Sequence, residues 1–207
     1  MPLKDLTVSQ YTDLLFSDAP APGGGSASAL CGAQGAALTA MVAGLTLGRK
    51  KYESEQDLCK TAVAACAELK DALVAQIDRD TDAYSEVMAA YKLPKATDEE
   101  IAVRAAAIAK ASLFATDVPF ETLELSVQAL RIARTLVGHS NSNAASDLGV
   151  AALNLLTCAK GAWLNVCINL GGVDEEHAQR FQRDGEGLIQ EAEMITKEIY
   201  DAVCSSM

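Results

Sequence analysis

Aromatic residues are scarce: they make up 5% of the 207 residues, although hydrophobic residues make up 50%. A β-rich core draws on aromatic and β-branched side chains, so the deficit points to close-packed helices filled by Ala, Leu, Val and Ile. Basic residues are in the minority too, with 17 Lys and Arg against 28 Asp and Glu and a formal charge of −11. That balance disfavours a nucleic-acid binder, whose affinity rests on clustered Lys and Arg. The six cysteines include no Cys-x-x-Cys pair, and His139 and His177 are the only histidines; neither set has the spacing of a zinc centre. No Gly-x-Ser-x-Gly elbow supports a serine hydrolase. The opening "MPLKDLTVSQYTDLLF" lacks the apolar core of a signal peptide. The most apolar stretch, residues 148–173, carries Asn154, Lys160, Asn165 and Asn169, which favours a buried helix over a membrane span. A reduced, cytoplasmic protein without a membrane partner is expected.

Prolines stand only at 2, 20, 22, 94 and 119, and between them apolar residues recur every three and four positions. This predicts helices near 4–16, 26–48, 54–92, 98–116, 119–137, 146–170 and 174–204, an all-α, single-domain bundle of about seven helices over residues 1–207. Ser26 is placed as the cap of the second helix, with acidic first turns at Asp98 and Asp174. That helix carries Gly32, Gly35, Ala36, Ala40, Ala43 and Gly44, small residues that let a neighbouring helix approach closely.

Several residues are misplaced by these rules. In the third helix the apolar stripe Leu58, Ala62, Cys66, Leu69, Leu73, Ile77, Tyr84 includes Asp80, while Asp78 and Asp82 fall on the opposite face, where solvent is expected. A carboxylate on a buried face is costly unless it is paired, hydrogen-bonded or protonated. Asp80 is therefore either a salt-bridge partner, a cap for another helix's amides, or a catalytic or binding acid. In the sixth helix, Asp147, Asn154, Cys158 and Asn165 form a narrow polar line, with Asp147 and Asn165 about 27 Å apart; the asparagines read as buried hydrogen-bonding or interface residues. The Gly-rich "PAPGGGS" lacks the end of a P-loop. It is a linker or a loop whose amides converge on a ligand, with positive φ expected at Gly24. "LGRKKY" either complements a helix C-terminus or supplies a local anion-binding patch. His139 is an exposed loop residue or a proton shuttle.

Taken in order, "PAPGGGSASAL", "MVAGLTLGRKKY", "IDRDTDAYSEVMAAYKLPK", "VPFETLE", "SDLGVAALNL" and "LNVCINL" resemble the cyclodeaminase/cyclohydrolase family of tetrahydrofolate enzymes over nearly the whole chain. The resemblance implies a helical homodimer that binds folate near the Gly-rich loop, with no metal and no cofactor beyond the folate substrate. It implies hydrolysis of 5,10-methenyltetrahydrofolate to 10-formyltetrahydrofolate or, alternatively, ring closure of formimidoyltetrahydrofolate with release of ammonia; a non-catalytic folate binder or scaffold is the reading from another class. By that resemblance Asp80 and Asp147 are the expected catalytic acids. Pro22, Gly23, Gly24, Gly25, Ser26, Arg49, Lys50, Tyr84, Asn141 and Ser146 are the expected substrate-binding residues. Where the family shows a Gly-Asn pair this chain has "GHSNSN", so the role passes to Asn141 or Asn143.

Overall fold

A computed structural model describes residues 1–207 and contains six α-helices and no strand. They are α1 (Val8–Phe16), α2 (Gly24–Gly44), α3 (Gln56–Tyr91), α4 (Asp98–Thr135), α5 (Ala145–Asn169) and α6 (Glu175–Ser206), with short 3-10 turns at Leu3–Asp5, Lys50–Glu55, Ser142–Ala144 and Leu170–Gly172. Side chains set the starts of three of them. Thr7 and Gln10, and Thr97 and Glu100, form reciprocal capping boxes at α1 and α4, and Asp174 accepts the His177 amide at α6. Gly138, with φ of +75°, turns the chain after α4.

The seven expected helices are six, because 98–116 and 119–137 are one helix that runs through Pro119. Proline has no N–H to give to the carbonyl four residues back, here that of Ala115. The vacancy is filled from outside: Asn169 Nδ2 on α5 donates to Ala115 O at 2.6 Å. Pro119 itself is buried, so the break in the ladder sits inside the bundle with its acceptor satisfied.

Helix α2 packs on α3 and α5, α4 packs on the same two, and α6 covers α4 and α5. The small residues of α2 make that contact close. A Cβ on Gly32 would lie 2.6 Å from Cys158 Sγ and 3.0 Å from Leu73 Cδ2, so α3 and α5 approach the α2 backbone itself. The core is aliphatic, built on Leu73, Leu123, Leu130, Leu155, Ile195 and Ile199, with Phe181 the one fully buried aromatic. Cys59, Cys66 and Cys158 are buried in it as free thiols. Asp78 is not the free surface acid expected: it accepts the Leu3 amide at 2.5 Å and faces Lys4, which ties the N-terminal segment to α3.

Candidate functional site

The start of α2 meets the second half of α3 at a cleft of about 270 Å³ lined by Ala21, Gly23, Gly24, Gly25, Asp80, Thr81, Tyr84, Asn165 and Asn169 among others. The Gly-rich segment is therefore the wall of a cavity. Its glycines do not supply unusual backbone angles, for Gly48 and Gly138 are the only residues with positive φ; the expectation of positive φ at Gly24 is corrected. What the glycine chemistry supplies is proximity. A Cβ on Gly25 would lie 1.9 Å from Asp80 Oδ1, whereas one on Gly24 would meet only Asn165 Nδ2, at 3.7 Å.

Asp80 reaches α2 through that gap. Its Oδ2 accepts the Ser26 amide at 3.0 Å and also lies 3.0 Å from Ser26 Oγ, while Ser26 Oγ donates to Ile77 O at 2.8 Å. The acid is thus an in-trans cap of α2, the second of the readings of Asp80, and it also lines the cleft. Ser26 is corrected on two counts: Gly23 stands at the N-cap of α2, and the fully buried Ser26 side chain serves Asp80 and α3 rather than lining the cleft. Pro22 is buried behind the loop and does not line the cleft either. Burial pushes the Asp80 carboxyl above its ordinary range, against the Ser26 side-chain and backbone hydrogen bonds, which pull it down. Tyr84 lines the same cleft and is 41% exposed.

Asn165, which periodicity read as a buried hydrogen-bonding or interface residue, lines the cleft together with Asn169. Asn165 Nδ2 donates to Gly161 O at 2.8 Å and Asn169 Nδ2 to Ala115 O at 2.6 Å. With each amide's NH₂ committed to the backbone, the carbonyl oxygens remain as acceptors at a cleft that both residues line. The signal available in the sequence was Pro119, whose missing donor requires a partner from another element.

The remaining expected residues gather at the opposite end of α3 and α5. Arg49, Lys50 and Lys51 share a recess of about 390 Å³ with Tyr52, Asn141, Ser142 and Asn143. Asn141 is buried: its amide N–H donates to Thr46 Oγ1 at 2.8 Å, and its Oδ1 accepts the Asn143 amide at 3.2 Å. The Ser142 amide donates to Tyr52 Oη at 3.0 Å, and the Ser142 hydroxyl and amide hold the Tyr52 phenol down to about 8. His139 is exposed and its Nδ1 lies 3.2 Å from Glu55 Oε2. Ser146 and Asp147 occupy the first turn of α5, and the 18 residues from Asp147 to Asn165 span about 27 Å of helix. One chain therefore does not bring Asp147, Ser146, Arg49, Lys50 or Asn141 to Asp80, because α3 and α5 run straight between the two clusters.

A family model described as formiminotransferase-cyclodeaminase matches residues 7–185. A methenyltetrahydrofolate cyclohydrolase from Methylorubrum extorquens is 41% identical over 203 residues, 97% of each chain. A formimidoyltransferase-cyclodeaminase from Gallus gallus is 37% identical over 157 residues, 75% of this chain but 29% of that longer protein. The crystal structure of a formiminotetrahydrofolate cyclodeaminase from Thermotoga maritima superposes with a TM-score of 0.80 at 26% identity, covering 99% of this chain and 96% of that one. The helices that carry the cleft all lie within the matched region, and on the agreement of sequence and fold the chain belongs to the formiminotransferase-cyclodeaminase family.

Proposed function

We propose that the cleft hydrolyses 5,10-methenyltetrahydrofolate to 10-formyltetrahydrofolate. The observation that carries this reading is Asp80, a carboxyl with raised proton affinity behind a Gly-rich wall, in a chain whose 41%-identical, full-length relative is a methenyltetrahydrofolate cyclohydrolase. The methenyl carbon belongs to an amidinium-like cation and is already electrophilic, so the protein has to place a water, take its proton and return one to the departing ring nitrogen. Asp80 is the base and then the acid; its ionised form also favours the cationic substrate in a partly desolvated cleft. Asn165 and Asn169 offer acceptors to the N–H groups of the pterin edge. No cofactor is needed, since the substrate brings its own electrophile. Six free cysteines fit a reducing, cytoplasmic compartment.

The second copy of a homodimer completes the site in this reading. At about 270 Å³ the cleft falls below the roughly 300–1,000 Å³ of small-molecule pockets, enough for a reacting head group but not for a whole folate. Along α5, Val150, Leu153, Thr157, Gly161, Leu164 and Ile168 lie on one line, and its large apolar members are 43–82% exposed. That line is self-complementary about Thr157: in an antiparallel pair Val150 meets the partner's Leu164, and Leu153 meets the partner's Gly161. The same pairing sets the first turn of one α5 beside Ile168 of the other, at the mouth of the cleft. The partner's Arg49, Lys50 and Asn141 end then faces the glutamate carboxylates.

Loss of the near-ultraviolet absorbance of methenyltetrahydrofolate, followed against buffer, tests the reading. The wild type should accelerate the loss, and Asp80→Asn should lower kcat by about 10²–10⁴-fold. Formimidoyltetrahydrofolate turned over faster, with ammonia released, would select the cyclodeaminase. Tight folate binding without either turnover would make the chain a binder.

A further inference from the structure

Ser26 has one hydroxyl hydrogen and two acceptors within reach, Ile77 O at 2.8 Å and Asp80 Oδ2 at 3.0 Å. It serves one of them at a time. Thr81 stands one residue after Asp80, lines the cleft, and its buried hydroxyl has no partner. Among the threonines it shares this with Thr196 alone, whereas Thr39, Thr46, Thr116 and Thr122 each donate to the carbonyl four residues back at 2.8–3.0 Å. For Thr81 the equivalent carbonyl is that of Ile77, the one Ser26 has taken.

We propose that Ser26 and Thr81 are positioning residues whose hydroxyls follow the charge on Asp80. When Asp80 is ionised, the Ser26 hydrogen turns to Oδ2, the stronger acceptor, and Thr81 donates to Ile77 O. When Asp80 takes a proton from water through the oxygen facing the cleft, Oδ2 becomes a neutral carbonyl. The Ser26 hydrogen then returns to Ile77 O, and the Thr81 hydroxyl is released towards the cleft, where the polar product forms. The proton itself passes only between water, Asp80 and the leaving nitrogen; the two hydroxyls exchange acceptors without gaining or losing hydrogen. This inference rests on Asp80 being the base.

The surroundings leave the exchange to these groups. From α1, Tyr11 approaches Asp80 with a phenol raised to about 12 by burial first and by Asp80 second, so it stays neutral. Helix α2 brings Gly25, Ser26 and, near Tyr11, the Cys31 thiol, itself raised by burial. Val118, Pro119 and Thr122 from α4 and Ala162 from α5 share a small recess with Asp80, and Asn165 faces it across the cleft. On α3 itself Tyr84 lines the cleft, Asp78 is engaged by Leu3 and Lys4, Arg79 by Glu121, and Asp82 is exposed.

The test combines the pH profile of kcat/KM with a carbon-13 NMR titration of the Asp80 carboxyl, which reads the proton whether or not the chain turns over folate. Ser26→Ala should move the acidic limb and the titration upward together by about one pH unit, a tenfold gain in proton affinity. Thr81→Val should move both by less, because Ile77 O then lacks a replacement donor when Ser26 turns to the ionised acid, while Thr81→Ser should stay at the wild-type position. The double variant should move no further than Ser26→Ala alone, since both act through Ile77 O. An unmoved carboxyl titration in Ser26→Ala, or shifts that add in the double variant, would overturn the proposal. A wild type that titrates as described but leaves methenyltetrahydrofolate intact would instead overturn the assigned reaction.

Discussion

At the scale of single residues, Gly25 and Asp80 are one device. Any side chain at Gly25 would occupy the place of the Asp80 carboxylate, so Gly25→Ala should displace the acid, lowering kcat by at least about 10²-fold and costing about 1–3 kcal/mol of stability as overpacking. Gly24→Ala meets nothing closer than 3.7 Å and should keep a wild-type Tm; parallel melting curves and assays of the two variants separate them. The raised Asp80 carboxyl also makes a pH prediction whose sign is opposite to the usual acid. Because the folded protein holds this proton more tightly than the unfolded chain, its contribution to stability is complete below the ordinary carboxylate range and is lost as pH rises through the folded pKa. Asp80→Asn, which keeps an acceptor for the Ser26 amide, should therefore melt at or above the wild type near pH 7 while losing that part of the pH dependence; a lower Tm at neutral pH would make Asp80 a net stabilising cap.

At the scale of elements, the bundle relies on a donor exchanged between helices. Pro119 gives up a bond inside α4 and Asn169 of α5 replaces it, which pins α4 to the end of α5 where Ala115, Asn165 and Asn169 line the cleft. Asn169→Ala should leave Ala115 O unsatisfied at a cost of about 1–3 kcal/mol. Pro119→Ala should restore a local donor, so that the double variant recovers part of the loss in a double-mutant cycle by denaturant unfolding. Additive losses would mean that Asn169 contributes by packing alone. The apolar-residue rhythm located all the helices within a few residues, and a proline was read as a boundary because it usually is one; the compensation lies 50 residues downstream, beyond the reach of any local rule.

At the scale of the whole molecule, five long helices and the short α1 expose 10,990 Å², against about 9,200 Å² expected for a compact monomer of 21.7 kDa. Surface left over along α5 is what a second copy would cover. Sedimentation should find a dimer at micromolar concentration, and Leu164→Glu with Ile168→Glu should dissociate it with loss of turnover. A monomer with full activity, or a heterologous protein or lipid surface as the only ligand of that face, would count against the shared site. If two copies share each cleft, Asp80→Asn and Lys50→Ala dimers, each with a low kcat/KM, should recover about a quarter of the wild-type kcat/KM after subunit exchange, because half of the randomly mixed dimers carry one intact site. Lys50→Ala alone should raise KM more than it lowers kcat and should blunt the salt sensitivity of binding.

The sequence by itself determined the helical class, the small-residue contact of α2, the family and the anomaly of Asp80, since each of these is written in local composition, spacing or a single misplaced charge. Only the tertiary structure decided which anomalies belong together. Periodicity measures the face a residue occupies and says nothing of which helix end lies beside which. It could therefore mark Asp80, Asp147 and Lys50 alike without revealing that straight helices hold the first apart from the other two. Nor could it foresee that Ser26 would turn away from the cleft to hold the acid, or that Asn165 and Asn169 would spend their amides on backbone and leave their carbonyl oxygens as acceptors. The assignments of Ser26 and Asn169 depend on hydrogen bonds between residues more than 50 positions apart, and that of Asn165, whose own bond is local, on the cleft wall it meets; both exist only once the helices have packed.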